Sequence, residues 1–335
     1  MFFLSVFAWE IRRFAFHARV AINPQRIALS LFSQQTAVQR QTDFGVVGDR
    51  RTTLPCRLAG KRPPYAANRC NFPPHPPSLP PMTSSPLAIV LAAGKGSRMK
   101  SDLPKVLFPV CGRPMIHFVL DALDKAGFKE KVVVVGHRAE DVHSELSTRK
   151  DSLSFVTQSL QLGTGHAVMQ CREQLKHHHG PVIVVAGDSP LLQPSSLQKL
   201  LTYFEANQPA LLLGTLLKID PTGLGRIIRD ADGSFIGIVE HRDATEEQRK
   251  IREVNMSTYL FNGPELLWAL DKLGNDNSQG EYYLTDCAAL LHGAGQKVEA
   301  LPVLEPCESL SINDMTELAQ VDAKMRGMGY GVAQA

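Results

Sequence analysis

The sequence has no apolar run of 18 or more residues, so no membrane-crossing helix is expected. Its six cysteines, Cys56, Cys70, Cys111, Cys171, Cys287 and Cys307, form no CxxC pair. That spacing argues against a zinc site or a disulfide framework, and for reduced thiols in a cytoplasmic protein. His177-His178-His179 is read as a solvated loop, because metal sites need ligands converging from several elements. No hexapeptide repeat is present. The glycine-rich stretch around Gly94 holds neither GxxxxGK(S/T) nor GxGxxG, which excludes a P-loop and a dinucleotide fingerprint there. A basic excess is missing where it would matter. The 335 residues carry a net charge of +3, but residues 1–81 hold 11 Lys and Arg against 3 Asp and Glu, and residues 82–335 hold 25 against 30. The positive surplus sits in the segment least suited to folding, so a nucleic-acid partner is not expected.

Residues 63–81 carry eight prolines, too many for an amphipathic helix. The Met1–Trp9 run is cut short by Glu10, Arg12 and Arg13 and has no basic region before it, a weak signal-peptide pattern. Residues 1–81 are therefore expected to be a disordered or non-native extension. On this reading Met82 is the true start, and one domain spans residues 82–335. The mass of the native protein tests that expectation; a product near full length would exclude it.

What is present is concentrated in residues 87–107, LAIVLAAGKGSRMKSDLPKVL. Leu87 to Leu91 reads as a buried strand, short and apolar. It ends in Leu91-Ala92-Ala93-Gly94, where small residues let the backbone approach a ligand and offer N–H groups to phosphate oxygens. Arg98 supplies a planar fork of donors and Lys105 a point charge. Together they predict a triphosphate cradle at the carboxyl end of a first strand. An ordinary strand-to-loop turn with solvated cations remains open on these residues alone.

Downstream, strands alternate with helices. Strands are expected at residues 131–135, 154–158 and 181–186, with helices at 114–126, 139–146 and from Gly163 to about residue 174. This alternation implies an α/β fold with a mostly parallel sheet covered on both faces, and a ligand site at the carboxyl ends of its strands. Gln158 ends one strand, and Gly163-Thr164-Gly165 opens a helix whose free N–H groups suit an anion. Ala186-Gly187-Asp188 ends another, where a carboxylate suits Mg²⁺ beside phosphates; a turn or helix-cap aspartate is the alternative. Beyond residue 209 a strand at 211–219 precedes a hairpin around Asp232-Gly233. A strand at 258–261 follows, then helices from Pro264 and around residues 287–291, and a strand at 298–303. Asn313 lies just before a terminal helix reaching about residue 325, where a helix cap is again an alternative.

LAAGKGSRMKSDLPKVL, QSLQLGTGHA, GDSP, PTGLGRI, IVEHRDA, EVN and NDNSQGEYYLTD together resemble the sugar-1-phosphate nucleotidyltransferases. They are most similar to the uridylyltransferase domain of the bacterial bifunctional enzyme that makes UDP-N-acetylglucosamine. The resemblance covers residues 86 to about 327. It implies a Rossmann-like nucleotide-diphospho-sugar transferase fold with a small β sugar-binding subregion. The implied substrates are UTP and N-acetylglucosamine 1-phosphate, with Mg²⁺ as cofactor. Carried over by motif, Arg98 and Lys105 act on the phosphates. Leu91, Ala92, Ala93, Gly94, Gln158, Gly163, Thr164, Ala186 and Gly187 line the nucleotide site. Asp188 and Asn313 bind the metal, and Gly225, Glu240 and Asn255 hold the sugar. Three positions depart from the family: Ala186 stands where an aromatic residue is usual, and in Asn255-Met256-Ser257 the last two residues replace the Thr-Gly of Asn-Thr-Gly. Without a hexapeptide repeat no acetyltransferase activity is expected, and oligomeric state is left open. Transfer to another sugar phosphate or from dTTP, or a non-catalytic regulatory subunit, are the alternatives.

Overall fold

Short runs of β-branched and aliphatic residues set the frame of the computed structural model, which describes residues 84–277 and 279–331. The expectations for residues 1–81 lie outside the described residues. Strands β1 (Leu87–Ala92), β4 (Glu130–Val135), β5 (Leu153–Thr157) and β6 (Pro181–Ala186) run parallel, with β1 between β4 and β6. Between β1 and β4, β2 (Pro109–Val110) and β3 (Arg113–Pro114) form a separate two-stranded ribbon. Beyond β6 the sheet continues through β10 (Glu253–Asn262), β7 (Leu211–Leu217) and β11 (Val298–Leu301). Of these, β10 runs antiparallel to β6 and β7, while β11 is parallel to β7. Among the described residues, a hairpin of β8 (Arg226–Arg229) and β9 (Phe235–Val239) pairs with the rest of the sheet only through β10. The fold is the expected α/β architecture with a small β subregion.

Side-chain alternation along the strands divides the core. Ala88, Val90, Val133, Val135, Ile183 and Val185 face helices α1 (Met115–Ala126), α2 (Ala139–Glu145) and α5 (Pro194–Asn207). Ile89, Val132, Val134, Val182 and Val184 face the other layer. That layer holds α3 (Thr164–Met169), α4 (Arg172–Leu175), α7 (Gly263–Leu270) and α8 (Asp286–Gly293). Each fully buried Val, Leu or Ile contributes about 1.5–3 kcal/mol over its exposed state, which fixes the strand register. A short helix α6 (Glu246–Arg249) follows the hairpin, capped reciprocally by Thr245 and Gln248. The last helix, α9 (Met315–Gly327), packs Val321 and Met325 against Met99, Val110 and Met115.

Three expectations change. The helix from Gly163 breaks at Gln170–Cys171 into α3 and α4, where backbone bonds reach back three residues. The strand expected at 258–261 begins at Glu253, because the chain passes through a bulge between Asn255 and Thr258 and keeps pairing with β7. The histidine run is not a uniformly solvated loop: His178 is buried, with Nε2 3.3 Å from the Pro181 carbonyl. Gly180 and Gly263 leave room for this close approach. The described cysteines, Cys111, Cys171, Cys287 and Cys307, are unpaired, and burial pushes the Cys171 thiol up to about 12. Among the described residues no helix is long and apolar enough to cross a membrane.

Candidate active site

The carboxyl ends of the parallel strands align closely. Ala92 pairs with Val135, Val135 with Thr157, and Leu91 with Ala186. The segments leaving β1, β4, β5 and β6 therefore open on one edge of the sheet. Asn255 reaches the same edge, because Tyr259 is already opposite Val184 and β10 runs the other way.

After β1, Gly96 adopts φ +62°, and a Cβ there would lie 2.8 Å from the Lys105 Cβ. The glycine thus lets the loop fold over the Lys105 stem. Gly94 is open, with nothing within 4 Å of a built Cβ. Arg98 sits in a 3-10 turn, Ser97–Met99, and Lys105 opens a second, Lys105–Leu107, after Pro104. Arg98 Nη2 and Lys105 Nζ both donate to Asn313 Oδ1 at 2.9 Å, and Lys105 Nζ pairs with Asp188 Oδ2 at 2.5 Å. Asp188 leaves β6 through Gly187, whose N–H donates to the Leu91 carbonyl at 2.9 Å, and the Asp188 carbonyl accepts from Ile312 N–H at 3.4 Å. The helix-cap alternative for Asn313 is excluded. Asp314 caps α9, accepting from Thr316 and Glu317 N–H, and the Asn313 N–H donates to Glu317 Oε2. The Asn313 side chain is thereby left to face the cations. Two cations against one carboxylate and one neutral amide leave a positive surplus, which suits a polyanion.

Asp188 Oδ2 and Asn313 Oδ1 both touch the Lys105 ammonium, so two oxygen donors from separate segments already face one positive centre. Among the described residues no group of three or more His, Cys, Asp and Glu could hold a metal. A hard cation held here would draw its other ligands from phosphate and water, the usual manner of Mg²⁺.

A second group forms beside β5. Gln158 is buried, and its Nε2 donates to the Gly163 carbonyl at 3.1 Å and lies 3.0 Å from His166 Nδ1. Gly163 adopts φ +101°, and a Cβ there would lie 2.5 Å from the Tyr282 carbonyl oxygen. The N–H of Gly165, expected among the free donors of the helix start, goes to that same carbonyl at 2.7 Å. Thr164 Oγ1 accepts from Leu284 N–H at 3.1 Å. The segment 282–284 is thus the scaffold of this loop, a role that sequence reasoning missed because backbone atoms make the contacts. Gly136 was also missed. A Cβ there would meet the Ala93 carbonyl at 2.8 Å, so this glycine makes room for the loop after β1. Its place directly after a strand was the available signal.

The third group lies on the hairpin and β10. Asn255 N–H donates to the Gly225 carbonyl at 2.9 Å, and Glu240 Oε1 comes within 3.3 Å of a Cβ built on Gly225. Loss of water around the Glu240 carboxyl, then the nearby Asp243 charge, raises it above the ordinary glutamate range, although part of the side chain is open to solvent. Asn255 is buried, and its Nδ2 donates to the Tyr259 hydroxyl at 2.8 Å. Burial pushes that phenol up to about 12. Ala186 is half-buried at the end of β6, between this group and Leu91.

Residues 88–217 match the family described as the MobA-like NTP transferase domain. The chain is 44% identical over 243 residues to the bifunctional protein GlmU of Halalkalibacterium halodurans, covering 72% of this chain and 53% of that protein. It is 45% identical over 240 residues to GlmU of Listeria innocua, covering 71% and 52%. The chain thus spans about half the length of the curated relatives it matches. The fold is that of a UDP-glucose pyrophosphorylase solved with UDP-glucose, with a TM-score of 0.59 at 16% identity over 73% of this chain and all of that one. Residues 88–217 thus carry the likeness to the MobA-like NTP transferase domain, and about 240 residues of the chain are similar in sequence to the GlmU proteins.

Proposed function

We propose that the protein transfers a uridylyl group from UTP to N-acetylglucosamine 1-phosphate, releasing UDP-N-acetylglucosamine and pyrophosphate. The observation that carries this reading is the meeting of Arg98, Lys105, Asp188 and Asn313 at one point, from segments as many as 215 positions apart. Kinship with GlmU over about 240 residues supports the uridylyl and N-acetylglucosaminyl specificity.

In this reaction the phosphate of the sugar attacks the α-phosphorus of UTP. No side-chain nucleophile is needed, and the protein supplies positioning and charge. Arg98 and the loop at residues 93–96 hold the departing pyrophosphate. Lys105 sits against the phosphates nearest the reacting centre, and binding them exchanges its contact with Asp188 for phosphate oxygens. Asp188 and Asn313 would hold Mg²⁺, which when bound offsets the repulsion between the two phosphates. Gln158 fixes the loop at Gly163 and Thr164 against which the base lies. Gly225, Glu240 and Asn255 take the sugar: a carboxylate accepts from its hydroxyls, and an amide both donates and accepts.

The test is magnesium-dependent pyrophosphate release from the purified full chain. N-acetylglucosamine 1-phosphate is compared with glucose 1-phosphate, and UTP with dTTP. Release should be fastest with UTP and the acetylated sugar phosphate. Faster release with another pair would overturn the specificity, and release with none would overturn the activity.

A further inference from the structure

The segments that bring Asp188 and Asn313 to Lys105 run past one another in opposite directions. At the end nearest the site, Ile312 N–H donates to the Asp188 carbonyl at 3.4 Å. Five positions on from Asp188, Gln193 N–H donates to Glu308 Oε1 at 3.0 Å, and Glu308 lies four positions before Ile312. The two ties therefore keep nearly one register. Between them, Leu191 and Ile312 are buried in one apolar cluster with Met99. Glu308 itself is 8% exposed, and its three hydrogen-bond partners are uncharged donors. Gln193 N–H reaches Oε1, while Ser196 Oγ at 2.5 Å and Glu305 N–H at 2.7 Å reach Oε2. Burial pushes the carboxyl up, and these three bonds pull it back toward the ionised form. Two of the donors are backbone N–H groups, which cannot turn round to accept, so a carboxylate satisfies the site.

We propose that Glu308 is a positioning residue. By gripping the start of α5 from the segment before Asn313, it sets the spacing of the Asp188 carboxylate and the Asn313 amide about the cation between them. This rests on the reading of Asp188 and Asn313 as metal ligands. Gln193, the N-cap of α5, makes no side-chain cap of its own, and its side chain turns to the Leu191 carbonyl instead. The helix that follows the Asp188 loop is thus fastened by a side chain 115 positions away, at its entry and again at Ser196 in its first turn. The direct tie beside the ligands is one backbone bond at 3.4 Å, beyond the ordinary range of about 2.7–3.2 Å, and is too weak to set the spacing alone. Both oxygen donors now meet the Lys105 ammonium, at 2.5 and 2.9 Å, and the same spacing would serve a metal ion.

Three variants of the full chain separate positioning from mere stability. Glu308→Gln keeps the shape but turns one oxygen into a donor facing an N–H, so the bond to Gln193 or the bond to Glu305 is lost. Ser196→Ala removes only the hydroxyl tie, and it carries the comparison if Glu308→Gln does not fold. Leu146→Ala, a buried core position outside both segments, is the control for lost stability. The magnesium concentration for half-maximal pyrophosphate release should rise about tenfold in Glu308→Gln, the scale of losing a group that orients metal ligands. In Ser196→Ala it should rise roughly threefold, the scale of one weak hydrogen bond. Amide hydrogen exchange, read by mass spectrometry, should quicken over residues 188–193 and 310–313 in both. Leu146→Ala should lower the melting temperature and leave the magnesium requirement and that exchange unchanged. A wild-type magnesium requirement in Glu308→Gln and Ser196→Ala overturns the proposal, and so does an equal rise in Leu146→Ala. If the wild-type chain releases no pyrophosphate at any magnesium concentration, the functional reading above fails instead. The tie is then judged by exchange alone: faster exchange over 310–313 in Glu308→Gln or Ser196→Ala but not in Leu146→Ala supports it, and unchanged exchange overturns it.

Discussion

At one end of the site, Arg98, Lys105, Asp188 and Asn313 arrive from segments up to 215 positions apart, and charge holds them together. At the other end, Gly225, Glu240, Asn255 and Tyr259 lie on one hairpin and the strand after it, joined by backbone pairing and neutral hydrogen bonds. No cation is among the residues assigned to that second end. On the proposed function, the difference follows from what each end would hold. Phosphates carry charge that needs direct compensation, so strength dominates at the first end. A sugar offers neutral hydroxyls and an amide, so orientation dominates at the second. Damage to the first should therefore appear in turnover, and damage to the second in the KM of one substrate.

The largest break in that contrast is Arg98→Ala. Turnover should fall roughly 10²–10³-fold, the scale of losing one preorganised donor to a leaving oxyanion, while the circular dichroism spectrum is unchanged. Near-normal turnover would remove Arg98 from the phosphate end. Asp188→Asn comes next. It keeps the shape, removes the one carboxylate of the group, and should raise the magnesium concentration needed for half-maximal rate at least about tenfold, read by a metal titration. An unchanged metal requirement would show that Asp188 serves only as the partner of Lys105.

Glu240→Gln probes the sugar end. It should raise the sugar-phosphate KM about tenfold without changing that for UTP, the scale of a hydrogen bond to a charged acceptor. The same residue sets a pH dependence. Its folded carboxyl is raised by lost hydration and then by Asp243, so it takes up its proton at a higher pH than an ordinary glutamate. Any stability this group adds is full below the unfolded value and lost as pH rises through the raised folded value. The sugar-phosphate KM should accordingly climb on acidification before the pH reaches the ordinary glutamate range. Glu240→Gln should flatten that climb in a KM-against-pH series.

Smaller still is Gly163→Ala, which should cost about 1–3 kcal/mol in a urea melt, since a Cβ would meet the Tyr282 carbonyl at 2.5 Å with φ at +101°. A cost near zero would mean that segment 282–284 yields easily and is no scaffold.

Elements with a strong local signature were legible in the sequence. β1, β4 and β6 are apolar runs bounded by loops, and their boundaries fall within a residue or so of expectation. Pro114 and Gly127 bracket α1 as capping chemistry requires, Gly127 at φ +100°. The break between α3 and α4 carried no such mark. In β10 the substitution at Ser257 was visible as a departure, but its left-handed backbone was not. At residues 313 and 314 two cap-competent side chains stand side by side, and local chemistry cannot choose between them. Folding gave the cap to Asp314 and left Asn313 for the cations.

The sequence by itself determined the alternation of strands and helices, and with it the edge of the sheet on which the proposed site lies. It also placed Arg98 and Asp188 beside glycines, Gly96 and Gly187. Periodicity and capping act within a few residues of the chain, so they can be read along it. Only the tertiary structure decided which polar groups meet. Lys105 lying between Asp188 and Asn313, Gly163 pressed on the Tyr282 backbone, and the Asn255 amide hydrogen-bonded to the Tyr259 hydroxyl and the Ser257 N–H all depend on packing. Such contacts come from the burial of two apolar layers against one twisted sheet. Burial is non-directional, and the polar meetings it brings about leave no periodic trace in the chain.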